Sequence, residues 1–306
     1  MKPKISIIVP AHNEQNNISR TMANLYDFPY DNYEVIIGLD NCSDQTVPIV
    51  KQMCLHHKNF KYKVFQERQG KAKMINQLID RALGEIIIIQ DCDWIFKIDN
   101  WDLNYILELF KTEYVHGIAD PFPITYPLKK DAGILEIGLT LHSLVWMDCV
   151  KQKSTDFIPG YNKLDDKYFP LLVNIFKKKS YIANETLADD IERAKNIQKQ
   201  HRCVLVSSGL FPSQMISAGE IYTISGIFKQ KKRTALAREQ LISKYGKDSM
   251  NIPITDLLKS IWKNVIKSWN IKYIFSFGVI TIIYLLGALY KPKNISTEKG
   301  WDLRSR

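Results

Sequence analysis

Glu85-Ile-Ile-Ile-Ile-Gln-Asp-Cys-Asp93 is the stretch on which the fold turns. Four consecutive β-branched, apolar residues suit a short strand buried on both faces of a parallel sheet. Two carboxylates, Asp91 and Asp93, follow at its carboxyl end, where open α/β sheets bind their ligands. Alternate residues of an extended chain point the same way, so both acids face one site. Two acids aimed at one point repel each other unless a cation sits between them. Oxygen ligands select a hard ion, Mg²⁺ or Mn²⁺, which completes its shell with water and substrate phosphates. Asp-x-Asp is equally a common polar turn.

Upstream, Ile5 to Pro10 and Tyr33 to Asp40 read as buried strands, and Tyr62 to Gln66 as a third. Polar-faced helices fill the gaps, from about Asn16 to Tyr26 and from Asp44 to about His57. Gln69-Gly70-Lys71 opens a further helix whose apolar stripe is Met74, Leu78, Ile79 and Leu83. The order β-α-β-α-β-α-β implies an α/β fold, a mostly parallel sheet with helices on both faces. After Asp93 the spacing predicts a helix over 101–112 and extended chain over 114–125. An apolar helix follows over 132–150, interrupted by Glu136, His142 and Asp148, and is read as buried or interfacial. Phe157 to Tyr181 contains a loop at Ile158-Pro-Gly-Tyr161 and the basic run Lys177-Lys-Lys179. An acidic helix start at Glu185 to Arg193, a strand at Cys203 to Ser207 and a basic helix after Phe228 complete this part.

The 306 residues are 45% hydrophobic and 24% charged, which excludes disorder as the general state. A net charge of +10 fits phosphate-bearing substrates or an anionic membrane surface. The lysines lack interleaved aromatic platforms, so no nucleic acid is expected. Five scattered cysteines without Cys-x-x-Cys spacing argue against a disulfide framework or zinc site. Met1-Lys2-Pro3-Lys4 runs into the first strand with no apolar core, so no secretory leader is expected. From Ile254 to Trp269 apolar residues recur at helical spacing opposite Lys259, Lys263 and Lys267, as in an interfacial amphipathic helix. Residues 273–290 carry no charge and are read as one transmembrane helix. A polar tail, 291–306, remains.

Four segments line one sheet edge in order: Val9-Pro-Ala-His-Asn-Glu14, Asp40 to Thr46, Gln69-Gly-Lys71 with Asn76, and Asp91-Cys-Asp93. This series resembles the family-2 glycosyltransferases of GT-A fold, over about residues 4 to 240. The resemblance implies inverting transfer of a sugar from a nucleotide-diphosphate donor, a UDP-sugar first and a GDP-sugar second. It implies donor binding by Pro10, Ala11, Glu14, Asp40, Lys71 and Asp91, with Asp93 and Asp91 on the metal. The pair Asp189-Asp190 stands where the family carries an acidic pair, usually Glu-Asp, ending in the catalytic base, so Asp190 is the base and Asp189 its support. A rival pair, Asp165-Asp166, lies upstream. Gln230-Lys-Lys-Arg-Thr234 resembles the Gln-x-x-Arg-Trp segment of membrane-bound synthases, with Thr234 in place of the tryptophan. Gln230 and Arg233 would then clamp phosphate. The plain alternatives are a helix-start acid for Glu14, a turn residue for Asp40 and a solvated charge for Lys71. For the acid pair the alternative is a turn that complements the helix dipole.

The organisation expected is a GT-A domain over 1–250, with a nucleotide half at 1–95 and an acceptor half at 96–250. The amphipathic helix at 251–272 and the span at 273–290 would anchor it in the cell membrane, catalytic domain toward the cytoplasm. The expected enzyme is a hexosyltransferase acting on a glycan or lipid-linked hydroxyl. A polyprenyl-phosphate acceptor, or an idle nucleotide-binding membrane scaffold, are the alternatives.

Overall fold

The structure is a computed structural model; it describes residues 4–97, 103–119, 132–152, 154–158, 161–164, 173–200, 203–207, 213–215, 223–246 and 253–289. The rival pair Asp165-Asp166 and the tail 291–306 lie outside these residues. Strands β1 (Ile5–Ala11), β2 (Tyr33–Asp40), β3 (Phe60–Phe65) and β4 (Ile86–Ile89) pair in parallel in the order β3-β2-β1-β4. Helices α1 (Ile18–Tyr26), α2 (Thr46–Cys54) and α3 (Lys71–Arg81) make the crossovers. The four isoleucines of β4 are at most 3% exposed, as a strand covered on both faces demands. Ile86 and Ile88 pack with the core that includes Ile7, Val9 and Met22, whereas Ile87 and Ile89 pack with Met74, Ile75 and Leu78 of α3.

Beyond β4 the sheet continues with β9 (Val173–Lys177), β6 (Val115–Ala119), β10 (Cys203–Ser207), β8 (Tyr161–Leu164) and β7 (Ser154–Ile158). β9 and β8 run against their neighbours and the other strands run together, so the sheet is mostly parallel. β9 is a strand that the sequence reading did not assign. Its side chains Ile175 and Phe176 are buried beside β4, so it is a central antiparallel strand. β5 (Trp94–Phe96), directly after the two acids, pairs with β11 (Ser213–Met215) in a separate ribbon. Helix α4 (Leu103–Lys111) covers β6, and α6 (Asp189–Lys199) lies over β9 and β10.

The last helices are α5 (Ile134–Gln152), α7 (Ile224–Tyr245), α8 (Ile254–Ile261) and α9 (Ile271–Ala288), with a π-helical turn at Trp262–Ile266. Among the described residues no helix is long and apolar enough to cross a membrane. The span expected at 273–290 thus finds no support in the described residues. α9 has 18 residues, about 27 Å at 1.5 Å per residue. One face of it packs on α5 and α7. His142 stacks on Phe277 at 4.0 Å, and Ser276 and Ile280 are fully buried. A Cβ added at Gly138 would run into the Ser276 carbonyl and lie 2.5 Å from Ile280 Cγ1, so only glycine allows this approach. The opposite face, with Ile271, Phe275, Ile282 and Leu286, is exposed, as are Ile254, Leu258 and Trp262 of the amphipathic segment.

Candidate active site

The site lies where β1, β2 and β4 end. β1 ends at Ala11 and β2 at Asp40; Asn13 and Asn41 follow with φ of 54° and 48°, a left-handed turn that asparagine tolerates. Asp40 is fully buried. One carboxylate oxygen accepts the Gln69 N–H at 2.7 Å, the other the Gly70 N–H at 2.9 Å, and Arg68 Nε stands 3.5 Å away. Gly70 holds φ at 79°, and the chain turns there straight into α3. Asp40 thus fixes the loop that presents Lys71. His12 Nδ1 sits 2.6 Å from the Asp40 carbonyl oxygen, and its Nε2 meets the Arg68 guanidinium. Glu14 is buried at the entrance to α1. Its N–H donates to Thr46 Oγ1 at 2.7 Å, and its carboxylate accepts from Asn17 at 3.1 Å. Pro10 lies on the same strand end, its carbonyl facing Cys92 Sγ at 3.5 Å.

Lys71 is the hinge of the site. Its ammonium lies 2.8 Å and 2.9 Å from the two Asp91 oxygens and 3.8 Å from Asp189 Oδ1. A single side chain thereby links the acids after β4 to the acid pair that opens α6. Asn76, one turn along α3, fixes the same junction. Its oxygen accepts the Asn184 N–H at 3.0 Å and its amide donates to the Asn184 carbonyl at 2.9 Å. Asn184 in turn donates to the Asp189 carbonyl at 2.9 Å.

The start of α6 concentrates buried charge. Asp189 is 4% exposed and Arg193, one turn on, 1%. Glu192 accepts the N–H groups of Glu185 and Thr186 at 2.9 and 2.7 Å and the Lys244 ammonium at 2.7 Å. Asp190 is partly buried and accepts its neighbour Ile191's N–H at 2.7 Å. Burial, then the charge of Asp189, hold the Asp190 carboxyl above the usual carboxylate range, against the pull of Lys71 and Arg193. A carboxylate made more basic in this way suits proton abstraction.

α7 grips the loop ahead of the pair. Gln240 accepts the Leu187 N–H at 2.9 Å, and Arg233 donates to the Leu187 carbonyl at 3.4 Å. Gln230, by contrast, is exposed on α7, and its backbone carbonyl accepts the Thr234 hydroxyl at 2.9 Å. The residues that sequence reasoning left out are Arg68, Arg193 and Glu192. Arg193 was readable as an i,i+4 partner of Asp189; Arg68 and Glu192 depend on chain folding that no local spacing reveals.

Asp91 and Asp93 offer two hard oxygen donors at one strand end. Among the described residues no cluster of three or more His, Cys, Asp or Glu gathers at one point. This donor set fits Mg²⁺ or Mn²⁺, which takes one or two carboxylates and fills its remaining positions from phosphate and water.

Residues 6–131 match the family model of glycosyl transferase family 2. Poly-beta-1,6-N-acetyl-D-glucosamine synthase of Staphylococcus aureus (strain MSSA476) is 26% identical over 151 residues, which are 49% of this chain and 35% of that protein. The chain spans 23% to 35% of the length of the curated relatives that head the comparison. Its fold is similar to that of the mannosyltransferase PcManGT from Pyrobaculum calidifontis, solved with GDP-Man and Mn²⁺. The TM-score is 0.58 at 17% identity, covering 96% of this chain and 77% of that one. S. aureus TarS 1–349 in complex with UDP-GlcNAc gives a TM-score of 0.52 at 14% identity, over 92% and 81% of the two chains. The fold is thus GT-A-like, α/β with a mostly parallel sheet.

Proposed function

We propose that this chain, which carries a glycosyl transferase family 2 domain over residues 6–131, is an inverting, metal-dependent hexosyltransferase. It moves a sugar from a nucleoside-diphosphate donor to a hydroxyl of a glycan or lipid-linked acceptor. The observation that carries this reading is the Lys71 bridge, with Asp91 on one side and Asp189 on the other. It joins the strand end read as the diphosphate side to the acid pair that includes the proposed base.

Asp93 and Asp91 would hold Mg²⁺ or Mn²⁺ against the donor diphosphate. When bound, the cation takes up the negative charge of the departing diphosphate. Pro10, Ala11 and Glu14 form the nucleotide side of the site. Asp40 contributes by holding the Gln69-Gly70 turn, and Lys71 adds positive charge at the start of α3, where anions are favoured. Asp190 takes the acceptor's proton, since a neutral alcohol is a poor nucleophile. Asp189 supports it. Arg233 secures the loop before the pair, and Gln230 is left to meet donor or acceptor at the rim. A UDP-sugar is favoured because the synthase relative is named for N-acetylglucosamine and TarS was solved with UDP-GlcNAc; PcManGT, with GDP-Man, keeps a GDP-sugar in view.

The exposed apolar faces of α8 and α9, flanked by Lys259, Lys267 and Lys272, would rest on the cell membrane, with the donor site facing the cytoplasm. The function is tested by incubating the protein with Mn²⁺ and a panel of UDP- and GDP-sugars and measuring released nucleoside diphosphate. Selective hydrolysis or transfer from one donor supports the reading. Failure of every donor to bind or turn over would overturn it.

A further inference from the structure

Arg193 is nearly the most buried large side chain of the molecule, and it lies directly under the acid pair. Its Nη1 is 3.4 Å from Asp189 Oδ2, its Nη2 donates to Asn174 Oδ1 at 3.2 Å, and its guanidinium lies 5.4 Å from the centre of the Phe176 ring. Asn174 and Phe176 both belong to β9, the antiparallel strand at the middle of the sheet. A guanidinium taken out of water is costly unless paired, and removing its partner leaves an uncompensated charge. Its rigid fork spans the carboxylate and the amide at once, which an ammonium does less well. Asp189 is therefore flanked by two cations, Arg193 beneath and Lys71 beside it.

We propose that Arg193 is a positioning residue for the acid pair: it ties Asp189 to β9, so that Asp189 is a fixed anchor and Asp190 alone takes the acceptor's proton. The inference rests on the transferase reading above and divides the pair's labour within it. Asp189 contributes one carboxylate oxygen to each cation, and its backbone carbonyl is held by Asn184. Asp190 has neither cation within ion-pair distance among the described contacts. The charged groups that act on it are Asp189 and Arg193 on its own helix and Lys71 from α3. Glu192 is itself occupied by Lys244 and two backbone N–H groups.

The test uses Arg193→Met and the charge-keeping Arg193→Lys in the full chain, with Asp190→Asn alongside. Steady-state kinetics against donor are taken across pH, and folding is checked by thermal melting. Arg193→Met is expected to lower kcat about a hundredfold, the scale of a misplaced reacting group, with donor KM within about twofold. The acidic limb of its kcat/KM profile moves to higher pH, because a cation that favours the Asp190 carboxylate is gone. Arg193→Lys recovers much of kcat and brings the limb back. An unmoved limb, with Arg193→Lys no better than Arg193→Met, would reduce Arg193 to a packing role. A raised donor KM at unchanged kcat would assign it to the donor site. If Arg193→Met does not fold, the Arg193→Lys limb decides, a wild-type kcat there with a shifted limb being contradictory. Wild-type turnover by Asp190→Asn would overturn the base reading itself. An inactive Asp190→Asn beside a normal Arg193→Met would sink only the positioning role.

Discussion

Replacing Asp40 by alanine removes a fully buried carboxylate that accepts two backbone N–H groups, from Gln69 at 2.7 Å and Gly70 at 2.9 Å. Both donors lie in a turn packed between β2 and α3, so the void left by the side chain offers them no protein acceptor. Each unsatisfied buried N–H costs about 1–3 kcal/mol, which makes about 2–6 kcal/mol for the pair. The Arg68 guanidinium, 3.5 Å from the same carboxylate, also loses its counter-charge. Against a total stability of about 5–15 kcal/mol, Asp40→Ala should lose a substantial share. Asp40→Asn keeps one acceptor oxygen and turns an amide N–H₂ toward a donor, for a loss of about 1–3 kcal/mol. Urea denaturation of the three proteins measures the losses, and nucleotide titration under native conditions measures binding. Binding should fall in Asp40→Ala through the loosened Lys71 turn. Stability of Asp40→Ala within about 0.5 kcal/mol of wild type would refute the view that Asp40 is the anchor of this loop.

Asp93→Asn should abolish Mn²⁺-dependent nucleotide binding while leaving the melting temperature nearly unchanged; titration with and without Mn²⁺ decides, and retained metal dependence contradicts the assignment. Gly138→Ala forces α5 and α9 apart and should destabilise by about 1–3 kcal/mol; an unchanged urea midpoint would mean that α9 does not pack there. Leu258→Asp with Trp262→Asp should weaken cosedimentation with vesicles rich in anionic lipid while sparing nucleotide affinity, and equal binding would remove the membrane-surface reading. Asp190 carries a carboxyl raised above its ordinary 3.8, so the fold holds that proton more tightly than the unfolded chain. Its stabilising contribution is present at low pH and fades as pH climbs through the folded value. Asp190→Asn should consequently melt higher than wild type near neutral pH, and the gap should close on acidification; thermal scans over pH check this.

The first hundred residues were legible because β1, β2 and β4 carry β-branched residues and end at a proline or an acid, and α3 carries one apolar stripe. Ile5, Val35 and Ile86 declare their burial locally, and parallel pairing follows from the alternation with helices. β9 was not legible. Its five residues include one asparagine and one lysine, and its place between β4 and β6 comes from pairing partners far away in the chain. α9 raised a different difficulty. Eighteen apolar residues look alike whether they meet lipid or a neighbouring helix, and Gly138, His142 and Lys231, which meet its inner face, are read only in three dimensions. In the site, the residue types were readable from Asp40, Lys71, Asp91 and Asp189, whereas the division of labour was not. Asp40 as loop anchor, and Lys71 as a bridge between Asp91 and Asp189, emerge only once the three loops are folded against one another.

The central claim is that one site joins a nucleotide-sugar donor at the end of β4 to a base at the start of α6. Single-turnover transfer by wild type and Asp190→Asn, with donor affinity titrated separately, tests it most directly. The account predicts turnover reduced by about a hundred- to ten-thousand-fold with donor affinity intact. Near-wild-type turnover with intact binding, or loss of donor binding with Asp190→Asn, would contradict it.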